Sequence, residues 1–210
     1  APDMPNLRHL IVVLGDQLDH QAACFDGFDA KRDAVWMAEV AEESTHVWSS
    51  KQRIAVFLSA MRHFAQELQQ KRIAVHYTPL SEPKNTQQLG TELGRAIEEL
   101  RPSAIIMTAP GDWRVLNQIK HTATHHNYPL DIREDRHFFS TVRDFAQHAK
   151  GRKQLRLEYF YRELRTKTGV LMDNGEPAGG AWNFDQENRE SFGKDGPPPI
   201  PTPTRFTPDA

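Results

Sequence analysis

Three short stretches of this chain carry side chains able to hold a ligand, and each follows a run of apolar residues. The first is Gly15-Asp16-Gln17-Leu18. A glycine there lets a flat ligand approach the backbone, and Asp16 and Gln17 offer hydrogen-bonding atoms. The same tetrapeptide also suits a tight turn with Asp16 capping a short helix, and for four residues in isolation the turn is the commoner outcome. The second stretch is Glu39-Val40-Ala41-Glu42-Glu43-Ser44, with three carboxylates within five residues. These could accept hydrogen bonds from the ring N–H groups or polar chain of a ligand, although a solvated acidic loop is more usual. The third is Pro110-Gly111-Asp112-Trp113-Arg114, where a strand runs into a helix. A helix N-terminus attracts anions, and Trp113 is placed to stack on a ligand, though an aromatic at a helix start is more often core.

Other chemistries leave no trace in the residues. There is no GxxxxGKS/T phosphate loop, no GxGxxG after the first apolar run and no serine in a GxSxG elbow. This weakens the case for an NTPase, a dinucleotide dehydrogenase or a serine hydrolase. His121, His125 and His126 place two imidazoles one helical turn apart, but Thr122 stands where a zinc protease needs glutamate. Arg152, Lys153, Arg156, Arg162, Arg165 and Lys167 give the last helical stretch a basic character. Such a face suits DNA phosphates, and equally suits water or a contact with further protein.

The elements that must position these residues alternate between two periodicities. Strand-like runs occur at His9–Leu14, Ala34–Val40, Ile73–Tyr77 and Ala104–Thr108, with a weaker one at Leu130–Arg133. The four stronger runs are short and nearly continuous, as in strands buried on both faces. Between them Ile54, Phe57, Leu58, Met61, Phe64, Ala65 and Leu68 recur at helical spacing behind a capping box at Ser49 and Gln52. Leu89, Leu93, Ile97 and Leu100 form a second helical stripe with Asn85 and Gln88 as candidate caps, and Asp112 caps a third carrying Leu116 and Ile119. Leu157, Phe160, Tyr161 and Leu164 mark one more helix, ended by Gly169. The expected fold is α/β: a Rossmann-like, doubly wound parallel sheet of about five strands with helices on both faces.

Composition sets the remaining bounds. The chain has 210 residues, 38% apolar and 26% charged, with a net charge of −2. It reads as an ordinary globular protein without the strong positive charge of an unaided nucleic-acid binder. No apolar run is long enough to span a membrane, and no signal-peptide pattern opens the chain. Cys24 is the single cysteine, so a four-cysteine iron–sulfur cluster cannot form from these residues and the expected compartment is the cytoplasm. From Gly193 the sequence GKDGPPPIPTPTRFTPDA is proline-rich and reads as a semi-extended linker over 193–210, expected to lead to a further domain.

The longer motifs are more specific. LIVVLGDQL, then AEVAEES, then KQRIAVFLSAMRHFAQEL, and later RELRTKTGVLMDNGEPAGGAWNFDQENR (Arg162–Arg189), resemble the deoxyribodipyrimidine photolyase-related family of iron–sulfur bacterial cryptochromes and photolyases. The resemblance runs from about Leu7 to Arg189 and gives a domain over 7–190. It implies an N-terminal α/β antenna domain from a protein about twice this length or more. It implies an antenna chromophore, 6,7-dimethyl-8-ribityllumazine or a similar molecule, in this domain. FAD and a 4Fe-4S cluster would lie in a C-terminal helical domain, with damaged DNA as the partner of the whole protein. Antenna members pass absorbed light energy to FAD, for repair of pyrimidine photoproducts or for light signalling. By motif, the pocket would draw on Gly15, Asp16, Gln17, Leu18, Glu39, Val40, Glu43, His46 and Phe57. Gly15 would admit the ring, Glu43 accept hydrogen bonds, Phe57 form an apolar wall and His46 a partial lid. No catalytic residue is implied, because an antenna only holds and orients its chromophore. Within the second motif, Gly179-Gly180 and Trp182-Asn183-Phe184 are expected to pack back and close the sheet's exposed edge. Arg162 and Arg165 are candidates for a DNA-facing surface.

Two other readings stand beside this one. One is a stand-alone Rossmann-like nucleotide-binding domain that uses the Gly15-Asp16 turn for adenosine. The other is an interaction domain with a vestigial pocket.

Overall fold

A computed structural model describes residues 7–185 and 191–208. The last residues of the second motif, 186–189, and the expected domain boundary at 190 lie outside the described residues. Two compact units divide at Gln147 and His148.

The first unit is built on five parallel strands: β1 (His9–Val12), β2 (Asp33–Ala38), β3 (Val75–Thr78), β4 (Ala104–Thr108) and β5 (Leu130–Arg133). Their order is β3-β2-β1-β4-β5, so the chain winds outward from β1 in one direction and then returns to wind in the other. This is the doubly wound, Rossmann-like arrangement expected from the alternation of runs. Within each central strand the side chains alternate between two cores. Leu10, Val12, Trp36, Ile105 and Met107 face one side, where they meet Leu93 and Ile97 of α3 (Leu89–Leu100) and Ile119 of α4 (Trp113–His125). Ile11, Val13, Val35, Met37 and Ile106 face the other, against Met61, Phe64, Ala65 and Leu68 of α2 (Lys51–Gln70). Both faces are covered, which is why the strands read as unbroken apolar runs.

Helix ends differ in detail from their sequence signals. Asp112 caps α4, accepting from the Arg114 amide at 2.7 Å, as expected. The cap of α2 is Ser50 rather than Ser49, with its hydroxyl 3.2 Å from the Arg53 amide. Neither Asn85 nor Gln88 caps α3 through its side chain; the Glu42 carboxylate accepts from the Leu89 amide at 3.1 Å instead. Asn85 is buried and ties the preceding loop to the Glu39 carbonyl at 2.7 Å and the Pro79 carbonyl at 3.0 Å. A single turn, α1 (Ala41–Thr45), leads from β2 towards α2, and the division between the units falls within α5 (Val142–Ala149).

The second unit holds α6 (Leu157–Thr168), terminated by Gly169 at φ 73° as expected. A hairpin follows, formed by β6 (Met172–Asp173) and β7 (Glu176–Pro177) around Asn174-Gly175. Both turn residues have positive φ, 49° and 87°, the pattern that makes Asn-Gly a strong hairpin turn. The Trp182 ring lies 5.3 Å from the guanidinium carbons of both Arg162 and Arg165. Within its own unit, this motif packs on α6. Arg165 is buried and donates to the Trp182 and Leu171 carbonyls, so it is a packing residue rather than an open DNA contact. From Gly193 to residue 208 the proline-rich stretch forms no helix or strand.

Candidate functional site

The carboxyl ends of β1 and β2 open into a cleft of about 270 Å³. Its size is at the lower end of the ~300–1,000 Å³ usual for ligand sites, which suits a small flat molecule. Gly15, Asp16, Glu39, Val40, Glu43 and Phe57 all line it, so six of the nine candidate residues meet in one place. Gln17 and Leu18 line a neighbouring hollow of about 330 Å³ instead, together with Gly15, Asp16, Thr108 and Asp135. The Gln17 side chain is committed to the fold there, donating to the Ala109 carbonyl at 2.9 Å. His46 lines neither space. It is the exposed residue at which the chain leaves the one-turn α1.

Two roles expected of cleft residues need correction. A Cβ on Gly15 would fall 2.5 Å from Phe57 Cε1 and 2.7 Å from Met61 Sδ. Gly15 is thus small because two residues of α2 pack on it; the flat ring it admits is that of Phe57. Glu39 was expected to accept hydrogen bonds from a ligand, but its carboxylate is fully buried and taken up within the protein. It accepts from Arg62 Nε at 2.6 Å and Nη2 at 2.8 Å, from the Tyr77 hydroxyl at 2.5 Å and from the Leu80 amide at 2.8 Å. Burial alone would push this carboxyl up; the donors outweigh it and hold the group below the usual glutamate range. Burial and the bond to Glu39 together push the Tyr77 phenol up.

Glu43 stands at the mouth, where its carboxylate pairs with Arg114 Nη2 at 2.9 Å. Desolvation would lower the Arg114 pKa, but Glu43, Asp112 and Glu42 raise it above its usual value. Asp112, itself a cleft residue, is held low chiefly by the hydrogen bond from the Arg114 amide. Among the described residues, Arg114 Nε and Nη1 and Gln118 Oε1 are buried without a hydrogen-bond partner, with Nη1 lying 3.7 Å from the Glu42 carboxylate. Trp113, by contrast, is exposed and does not line the cleft. Sequence reading missed Arg62 and Tyr77, which fix Glu39, and it singled out Arg114 without its pairing to Glu43. It had no signal for them, since each comes from an element distant in the chain from the carboxylate it meets.

His126, one of the three clustered histidines, pairs with Glu98 at 3.3 Å, and its ring packs where a Cβ on Gly94 would fall. Among the described residues no three His, Cys, Asp or Glu side chains are grouped to hold a metal ion.

Comparisons with known proteins show the family. The model of the family described as deoxyribodipyrimidine photo-lyase-related protein matches residues 11–210. The chain belongs to this family. A protein described as a (6-4) photolyase, from Agrobacterium fabrum (strain C58 / ATCC 33970), is 45% identical over 184 residues. That match covers 88% of this chain but only 36% of the relative, so the chain corresponds to about a third of that photolyase. No helix among the described residues is long and apolar enough to cross a membrane.

Proposed function

We propose that this chain is the antenna-binding domain of a light-dependent photolyase or cryptochrome-type flavoprotein, and that the β1–β2 cleft holds the chromophore. The single observation carrying this reading is the convergence of Gly15, Asp16, Val40, Glu43 and Phe57 on one cleft at the sheet's carboxyl edge. The residues fit a flat two-ring molecule such as 6,7-dimethyl-8-ribityllumazine. Val40 and Leu89 supply buried apolar walls, Phe57 a flat aromatic one, and Glu43, Ser44 and Asp112 polar atoms at the mouth. When bound, such a chromophore absorbs near-UV or blue light and passes the energy to a flavin. The protein's part is to fix its position and exclude water.

The same reading places FAD and a 4Fe-4S cluster in a C-terminal helical domain, reached through the proline-rich 193–210 linker. Damaged DNA would be bound by the whole protein. The first domain then extends over 7–190. Repair of pyrimidine photoproducts, as the relative's name states for that protein, or light signalling would be the activity of the whole.

Absorbance of the purified chain provides the test. A near-UV band beyond the protein peak, released on denaturation, supports the antenna reading. A colourless chain that binds AMP in calorimetry but no lumazine would support the nucleotide-binding alternative and overturn this one.

A further inference from the structure

One cation organises the mouth of the cleft. Arg114 stands in the first turn of α4 and does not line the cleft, whereas Glu43 and Asp112 do. Its Nη2 donates to Glu43 Oε1 at 2.9 Å and to Asp112 Oδ2 at 3.4 Å, and its Nη1 lies 3.7 Å from Glu42 Oε1. Three carboxylates thus converge on one guanidinium. Gln118, one turn further along α4, donates to both oxygens of Glu42 at 3.3 Å and 3.1 Å. Together these two α4 side chains clamp α1, the single turn that carries Glu43 and Ser44. A planar guanidinium fork holds two acceptors in a fixed relation, which a flexible ammonium does not. Without it the three negative groups repel one another, and Glu43, with its side chain 32% exposed, is free to turn to water.

The acceptors left over decide what the mouth reads. Glu43 Oε2 accepts no hydrogen bond among the described residues, and an ionised carboxylate offers acceptor sites only. The Ser44 hydroxyl adds a group that both donates and accepts. The inner walls differ in kind: Val40 and Leu89 are buried and apolar, and Phe57 presents a flat ring. A fused ring bearing a chain of hydroxyls matches this division, with the ring inward and the hydroxyls at the mouth. A bare alkyl group in place of the chain would cover the carboxylates without donating to them, a mismatch that costs more than lost apolar contact.

Resting on the antenna reading above, we infer that Arg114 is a positioning residue that makes the mouth of the cleft a reader of a polyhydroxylated chain. It holds Glu43 and Asp112 as a fixed pair of acceptors and does not itself touch the ligand.

The test compares 6,7-dimethyl-8-ribityllumazine with 6,7,8-trimethyllumazine, which has the same ring and no hydroxyls, by fluorescence titration of the purified chain. The wild-type chain is expected to bind the ribityl compound roughly tenfold or more tightly. Arg114→Gln is expected to remove most of that preference while leaving affinity for the trimethyl compound within about twofold. The trimethyl compound therefore reports whether the inner cleft survives the substitution. Arg114→Lys, which keeps the charge facing the three carboxylates, guards against loss of the fold and is expected to restore only part of the preference. Equal affinities in the wild-type chain would overturn the inference and leave the antenna cleft standing. So would equal weakening of both compounds by Arg114→Gln, or a full preference in either variant. Failure of both compounds to bind the wild-type chain would remove the antenna reading and this inference with it.

Discussion

At the scale of single residues, the fold spends its most conspicuous polar groups on itself. Glu39 ends β2 in full burial with four donors around it. Glu39→Gln, which keeps the shape but removes the charge opposite Arg62, is expected to destabilise the chain by about 2–3 kcal/mol. Buried pairs lose more when broken, but the Arg62 side chain is 52% exposed and water screens part of the loss. Urea denaturation measures it. The pH dependence follows from the direction of the Glu39 shift. A carboxyl held below its ordinary value contributes stability that is present above about pH 4.5 and lost as pH falls through the lowered folded value. Wild-type stability should therefore hold from pH 7 to about pH 5 and drop below that, and Glu39→Gln should drop less over the same acid range. Gly15 gives a second test. Gly15→Ala drives a methyl into Phe57 and Met61 and is expected to cost about 1–3 kcal/mol. Adding Phe57→Ala should recover much of that loss, a coupling that a double-mutant cycle reads directly. Additive losses would show that Gly15 is small for another reason.

At the scale of elements, the sequence and the structure agree at several local patterns. The bounds of β4 and β5 match their runs, Asp112 caps α4 and Gly169 stops α6. They differ where a side chain reaches across the fold. The apolar stripe of α2 reads as uniform from Ile54 to Leu68, yet only Met61, Phe64, Ala65 and Leu68 are buried in the core. The first half of the stripe overhangs the sheet's carboxyl edge and becomes the wall of the cleft, a division that helical spacing cannot show. His46, which the motif assigns to the pocket, follows the single turn of α1 and is exposed. The AEVAEES motif likewise does not reveal that its first glutamate faces Arg62 and Tyr77 while its last faces Arg114. A further element-level prediction concerns Arg101, which closes α3 in the left-handed region at φ 47°. Arg101→Gly is expected to raise stability by about 0.5–1 kcal/mol, because glycine adopts that backbone without strain. Thermal melting checks it, and a lower midpoint would mean the arginine side chain supports the helix end.

At the scale of the whole molecule, the fold supplies a slot at the carboxyl edge of a parallel sheet. On the antenna reading, the chain incubated with FAD and DNA carrying a (6-4) photoproduct is expected to show no light-dependent repair. The photochemistry would belong to the rest of the protein, of which the matched relative carries nearly two thirds outside the region of similarity. Repair by this chain would contradict the assignment. The most direct measurement is a fluorescence titration of 6,7-dimethyl-8-ribityllumazine against two variants that fill one hollow each. Ser44→Trp plugs the β1–β2 cleft and His137→Trp the neighbouring hollow beside β4 and β5. One saturable site is expected, weakened by roughly tenfold or more in Ser44→Trp and unchanged in His137→Trp. Binding lost in His137→Trp but kept in Ser44→Trp would contradict the account, as would no binding at all.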